Sequence, residues 1–168
     1  ELPRLAPVAT CWRTGKHHHT TGWLRMHPDR TYPALSLWGH TMERIDTIVV
    51  GAGQAGLATS YYLQQAGQEH VVLERGSMVA PVWRNERWDS FTTVTPNWGL
   101  KLPGMSYAGP DPDGFLTRRE ISNLFSRYAT RFALPVKVNT PVLSIAPMRA
   151  GEFRVTTPEQ VYLSRSVV

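Results

Sequence analysis

Asp46-Thr-Ile-Val-Val-Gly51-Ala-Gly53-Gln-Ala-Gly56-Leu57, followed by Val71-Val-Leu-Glu74, is the stretch on which the fold turns. An apolar, β-branched run at Ile48 to Val50 reads as a buried strand, and Leu57 to Ala66 suits a helix. Gly67 stands where a helix stop is wanted. The second apolar run ends on an acid, Glu74, with seventeen residues (57 to 73) between it and Gly56. A strand, a glycine turn, a helix and a second strand ending in a carboxylate form the βαβ unit that grips the ADP half of a dinucleotide. Gly51 permits the tight turn, Gly53 lets backbone approach a pyrophosphate, and Gly56 lets the helix lie close to the sheet. Gln54 and Ala55 complete the turn and open a helix expected over Gln54 to Gln65. Its amino end offers free N–H groups and the positive end of the macrodipole to phosphate. The competing interpretation is an ordinary βαβ unit with a glycine-rich corner.

The 168 residues suffice for one domain with a core, and a hydrophobic fraction of 42% fits a soluble globular chain. No apolar run approaches the roughly 20 residues that span a bilayer, and no secretory pattern opens the chain. The single cysteine, Cys11, excludes an internal disulfide, reads as a surface thiol and points to a reducing, cytoplasmic setting. Of the net charge of +5, residues 1 to 41 carry +3 (five Lys/Arg, two acids) and residues 42 to 168 carry +2. No basic stripe or RNA-binding signature accompanies that charge, so no nucleic-acid partner is expected.

Residues 1 to 41 show neither a helical nor a strand period and are expected to be an unstructured or non-native extension ahead of Met42. The adjacent His17, His18 and His19 define no coordination geometry, so no metal site is assigned. His70 is the one histidine of residues 42 to 168 and reads as a strand-edge residue rather than a general base. Arg75 to Asp113 is a long irregular stretch rich in Pro, Gly, Asn and aromatics, and loops of that length are usually functional. Its aromatic residues suit either packing beside a flat ring or anchoring the core. From Leu116 to Phe132 apolar residues recur at three and four, with Thr117 and Glu120 placed as a capping box and Pro135 as a stop. Short strands are expected at Val136 to Val138, Val142 to Ile145, Phe153 to Thr156 and Val161 to Leu163, with a hairpin turn over Met148 to Glu152. Ser166-Val-Val168 reads as the opening of a further buried strand, which would leave the central sheet with an unfinished edge.

With these residues in place, the chain from about Ile45 to Val168 resembles the amino-terminal half of a flavin-containing monooxygenase. More broadly it resembles the FAD- and NAD(P)-dependent oxidoreductases with two dinucleotide-binding domains. The resemblance rests on Gly51-Ala-Gly53-Gln-Ala-Gly56 with Glu74 and Arg75, then Val82-Trp83-Arg84, Trp88-Asp89-Ser-Phe, Thr95-Pro96-Asn97 and Leu102-Pro103. Asp113-Gly-Phe-Leu-Thr-Arg resembles the lead into the family's helix, and Asn139-Thr-Pro-Val142 the strand whose valine meets adenine. Where the family has G-G-x-W, this chain has Ala80-Pro81-Val82-Trp83.

The resemblance implies an α/β, Rossmann-like FAD/NAD(P)-binding fold: a parallel sheet with a crossover helix plus a small antiparallel meander, incomplete at the carboxyl end. Residues 42 to 168 would be the FAD-binding domain, and NADPH would bind outside this chain, which has no second G-x-G-x-x-G. It implies that Glu74 binds ribose, that Trp83 and Arg84 line the isoalloxazine, and that Thr95 to Asn97 approach the flavin or nicotinamide face. It also implies a reaction: NADPH reduces FAD, and a peroxyflavin passes one atom of O₂ to a small organic substrate. Flavin reduction without oxygenation and a non-catalytic nucleotide-binding module are the alternatives. No catalytic side chain is identified, and the isolated chain is expected to bind FAD weakly, to aggregate and to show no NADPH-dependent oxygen uptake.

Overall fold

The computed structural model describes residues 42–168, so the expectations for residues 1 to 41, including His17 to His19 and Cys11, fall outside the described residues. Strand β1 (Met42–Val50) leads through the glycine turn into helix α1 (Gln54–Gln65) and strand β2 (His70–Leu73). A short helix α2 (Pro81–Asn85), a 3₁₀ turn (Asn97–Gly99) and a two-stranded ribbon, β3 (Lys101–Leu102) with β4 (Met105–Ser106), punctuate the irregular stretch. Helix α3 (Arg118–Arg131) follows, then β5 (Val136–Lys137), β6 (Ser144–Pro147), β7 (Phe153–Thr156) and β8 (Val161–Val167). The main sheet has six strands in the order β5-β2-β1-β8-β7-β6. Its β5-β2-β1-β8 half is parallel, and β8-β7-β6 is an antiparallel meander.

Side chains alternate across the sheet, and each face has its own core. Val49 and Val72 face one way, onto Leu57 of α1 and onto Ile121, Leu124, Phe125 and Tyr128 of α3. Ile48, Val71 and Leu73 face the other way and pack with Val155 and Tyr162 of the meander. Phe125 and Tyr128 are fully buried, a transfer from water that stabilises by about 1.5–3 kcal/mol for a phenylalanine-sized side chain. Thr117 and Glu120 form the expected capping box at the start of α3. Hydrogen bonds from the Thr117 hydroxyl and then its backbone N–H hold the Glu120 carboxyl below the usual carboxylate range.

Two expectations need correction. The first strand does not begin near Asp46 but at Met42, because its amino-terminal half pairs in register with β8, Met42 opposite Val161 and Ile45 opposite Ser164. Nor does Ser166 open a separate strand. Val161 to Val167 is one strand, paired on one side with β1 and on the other with β7, so the sheet's outer strands are β5 and β6. No helix among the described residues is long and apolar enough to cross a membrane.

Candidate functional site

The carboxyl ends of β1 and β2 and the amino end of α1 meet at a cavity of about 360 Å³. Gly51 turns the chain out of β1 with φ of +97°, a conformation glycine adopts without strain. A Cβ on Gly56 would overlap the Gly51 carbonyl oxygen and lie 3.3 Å from Val49 Cγ1, so only glycine lets α1 lie this close to β1. A Cβ on Gly53, in contrast, would meet nothing within 4 Å. Gly53 lines the cavity and leaves its backbone open to whatever enters.

The two long helices start differently. α3 satisfies its first N–H groups with the Thr117–Glu120 box, whereas Gly53 caps α1 with no side-chain hydrogen bond, and no acid lies in the first turn of α1. The unfilled donors and positive dipole end of α1 are therefore left for an anion from outside the chain. Gln54 and Ala55 sit exposed in that first turn.

Glu74, only 5% exposed, forms the acidic wall. Its Oε2 accepts from the Ala52 N–H and its Oε1 from the Gly76 N–H, both at 2.8 Å. Carboxylate oxygens have further lone pairs, so these bonds orient Glu74 while leaving it able to accept from hydroxyls. Arg75 lies beside it, exposed, with its guanidinium 3.5 Å from Glu86. Trp83 and Pro81 of α2 and Pro141 and Val142 close the remaining sides. Val50, at the end of β1, is 42% exposed rather than buried because it too opens onto this space.

The structure thus gathers Gly51, Gly53, Glu74, Arg75, Trp83 and Val142 around one cavity. Gln54, Ala55, Gly56, Arg84, Thr95 and Asn97 are not on its wall. Arg84 is exposed, with its guanidinium 3.9 Å from Met78 Sδ. Thr95 is exposed. Asn97 is buried and donates through Nδ2 to the Asp111 carbonyl at 2.8 Å. Its Oδ1 is buried without a partner among the described residues. Val142 is reached by an extended segment rather than a strand, after Asn139 with φ of +54°.

Sequence reasoning missed three contributors. Ala80 takes a left-handed conformation (φ 52°, ψ 48°) that costs an L residue about 1–2 kcal/mol, and its N–H donates to the Ala52 carbonyl at 3.0 Å. Its place before Pro81-Val-Trp83, where the resembling family has glycine, was the available signal. Arg118 donates to the carbonyls of Arg84 (3.1 Å) and Arg87 (3.0 Å) and pairs with Asp89, which ties down the carboxyl end of α2. Arg87 stands over the Trp83 ring at 5.2 Å and the Phe91 ring at 5.4 Å. Arg118 closes the Asp113-Gly-Phe-Leu-Thr-Arg stretch, which carries no sign of this role, and nothing in the local sequence marks Arg87.

His70 sits at the start of β2, buried, with Nε2 2.8 Å from Ser60 Oγ and Nδ1 2.9 Å from the Gln68 carbonyl. The carbonyl requires a proton on Nδ1, so the hydroxyl of Ser60 donates to Nε2 in the neutral ring. That pair lies outside the cavity wall and holds α1 to β2.

Comparison with known proteins agrees with this geometry. The chain is 41% identical over 125 residues to an uncharacterized CzcO-like oxidoreductase of Geobacillus kaustophilus, which covers 74% of this chain and 35% of that protein. It is 32% identical over 122 residues to the indole-3-pyruvate monooxygenase YUCCA8 of Oryza sativa, covering 72% and 29%. Among solved structures, a flavin-containing monooxygenase from Stenotrophomonas maltophilia superposes with a TM-score of 0.68 at 26% identity, covering 75% of this chain and 38% of that one. The chain spans about a third of the length of the curated relatives it matches. The family described as pyridine nucleotide-disulphide oxidoreductase matches residues 48–168, and with the carboxyl end of β1, the glycine turn, the helix and the acid inside that range the chain belongs to this oxidoreductase family.

Proposed function

We propose that residues 42–168 are the FAD-binding part of a longer flavin-dependent monooxygenase that draws electrons from NADPH and acts on a small organic substrate. The observation that carries this reading is the meeting, in one cavity, of an uncapped helix start, a side-chain-free Gly53 and an oriented, buried Glu74. The donors fit a pyrophosphate and the carboxylate fits a ribose diol. Trp83, part of the cavity wall, offers a flat apolar surface beside them. Backbone N–H groups of the turn hold the phosphates, Glu74 fixes the ribose, and the Trp83 side excludes water. Bound FAD supplies the electron transfer and oxygen activation that these side chains lack.

Electron transfer without oxygenation is the second reading, favoured by the family's own description. The domain division follows the same proposal, with residues 42–168 as the FAD domain and the NADPH site elsewhere in the protein. The deciding experiment starts with a titration of the purified chain with FAD, followed by the quenching of flavin fluorescence. Saturable binding that is weakened about tenfold or more in Glu74→Ala is the expected result. No saturable binding by the parent chain overturns the proposal. With the whole protein, substrate oxygenation matched to NADPH consumption separates the monooxygenase from a reductase that yields only hydrogen peroxide.

A further inference from the structure

A second, larger hollow of about 840 Å³ lies between the Met105–Pro110 segment and one face of α3. It shares no lining residue with the nucleotide cavity. Its outer wall is held at both ends. The Tyr128 hydroxyl donates to the Pro103 carbonyl at 2.8 Å, Asn97 Nδ2 to the Asp111 carbonyl at 2.8 Å, and the Trp98 N–H to the Pro112 carbonyl at 3.0 Å. The hollow is thus pre-formed, as small-molecule sites usually are.

Its chemistry is polarised. Met105, Tyr107, Leu116 and Leu124 give it an apolar floor. Arg127 and Arg131, one helical turn apart, stand at one end. Among the described residues neither arginine has a carboxylate within ion-pair distance, and Arg131 only lies over the Phe132 ring at 5.5 Å. Glu120 also lines the hollow, but it lies seven residues and so about 10 Å along the helix from Arg127, and it is occupied by Thr117. The macrodipole accounts for Arg131 in the last turn, but not for Arg127 facing the same hollow.

We propose that this hollow is a second binding site, for a small amphiphilic acid. The carboxylate is forked by Arg127 with Arg131 as flanking charge, and the apolar body lies on the Met105–Leu124 floor. A guanidinium matches a carboxylate with two parallel hydrogen bonds. The site is independent of the flavin reading, because the two cavities have separate walls.

The test is isothermal titration of the full chain with sodium decanoate below its micelle range, with decanol and sodium acetate as the tail-only and head-only comparators. The expected result is saturable one-to-one binding of decanoate, at least about tenfold tighter than either comparator. The double variant Arg127→Gln/Arg131→Gln, both exposed positions on a formed helix, is expected to weaken decanoate at least about tenfold. FAD binding should stay within twofold of the parent. Met105→Gln, which wets the floor and leaves the arginines in place, should weaken decanoate as well. Equal decanoate affinity in the double variant, decanol binding as tight as decanoate, or no saturable binding overturns the proposal.

Discussion

Replacing Gly56 with alanine sets helix propensity against packing. Alanine is favoured over glycine inside a helix by about 1 kcal/mol, so propensity alone predicts a more stable protein. The structure predicts the opposite. The new Cβ would overlap the Gly51 carbonyl oxygen, lie 3.2 Å from that carbonyl carbon and press on Val49 Cγ1 at 3.3 Å. Two of those three atoms are backbone, so relief requires moving α1 or the turn. Overpacking of this kind costs about 1–3 kcal/mol, and a backbone clash belongs at the upper end. Subtracting the propensity gain leaves a net loss of about 2 kcal/mol. With a urea slope of about 1.5 kcal/mol/M, the midpoint falls by roughly 1.3 M. Gly53→Ala is the matched control, since its methyl enters open space at an ordinary φ of −80°. Its midpoint should stay within about 0.3 M of the parent, while the methyl stands where phosphate must approach and weakens FAD by at least tenfold. Urea melts followed by circular dichroism, repeated with saturating FAD, read both effects. A Gly56→Ala midpoint at or above the parent's refutes the packing argument. Parental flavin affinity in Gly53→Ala refutes the placement of the phosphates.

Three further outcomes are expected. Glu74→Gln leaves a side-chain N–H₂ facing either the Ala52 or the Gly76 N–H, so it should cost about 1–3 kcal/mol in stability and at least tenfold in FAD affinity, read by the same melts and by flavin titration. Arg118→Met strips the donors from the Arg84 and Arg87 carbonyls and should lower stability by about 1–2 kcal/mol and FAD affinity several-fold; unchanged binding would show that α2 needs no such tie. Thr117→Ala should cost about 1 kcal/mol as a lost cap. Glu120→Gln tests the acid side of the same box. The folded Glu120 carboxyl is held down, so its contribution is complete above the unfolded value of about 4.3 and lost as pH falls through the folded one. The stability gap between parent and Glu120→Gln should therefore close below about pH 4, which melts in acetate and formate buffers would follow.

What could be read from the sequence is what depends on near neighbours. The α1 boundaries, the stop at Gly67, the capping box at Thr117 and strand β7 all follow from turn chemistry and periodicity within a dozen residues. The reach of β1 back to Met42 did not, because its support comes from Val161 and its neighbours, 119 residues along the chain. The same distance hid the fusion of Val161 to Val167 into one strand. At the site, Gly51, Gly53 and Glu74 were legible since their roles are set by one βαβ unit. Pro81 and Pro141, two further walls of the cavity, carry no chemical signature. Arg118 was illegible because two of its partners are backbone carbonyls, which any sequence provides, and the third, Asp89, lies 29 residues away.

The position of β8 between β1 and β7 also bears on how this fold is made. On a ribosome, β1, α1 and β2 emerge early and can pair at once, but the other edge of β1 stays open until residues 161 to 167 have been synthesised. Until then the nascent sheet exposes a strand edge bearing Ile45 and Ile48, the kind of template that captures neighbouring chains. Closing a loop of more than a hundred residues is also a slow step for a β-pairing. The strand that completes the sheet is thus the one on which chaperone dependence should be concentrated. Substitutions in β8 should reduce the yield of folded protein more than their effect on the stability of the finished molecule would suggest.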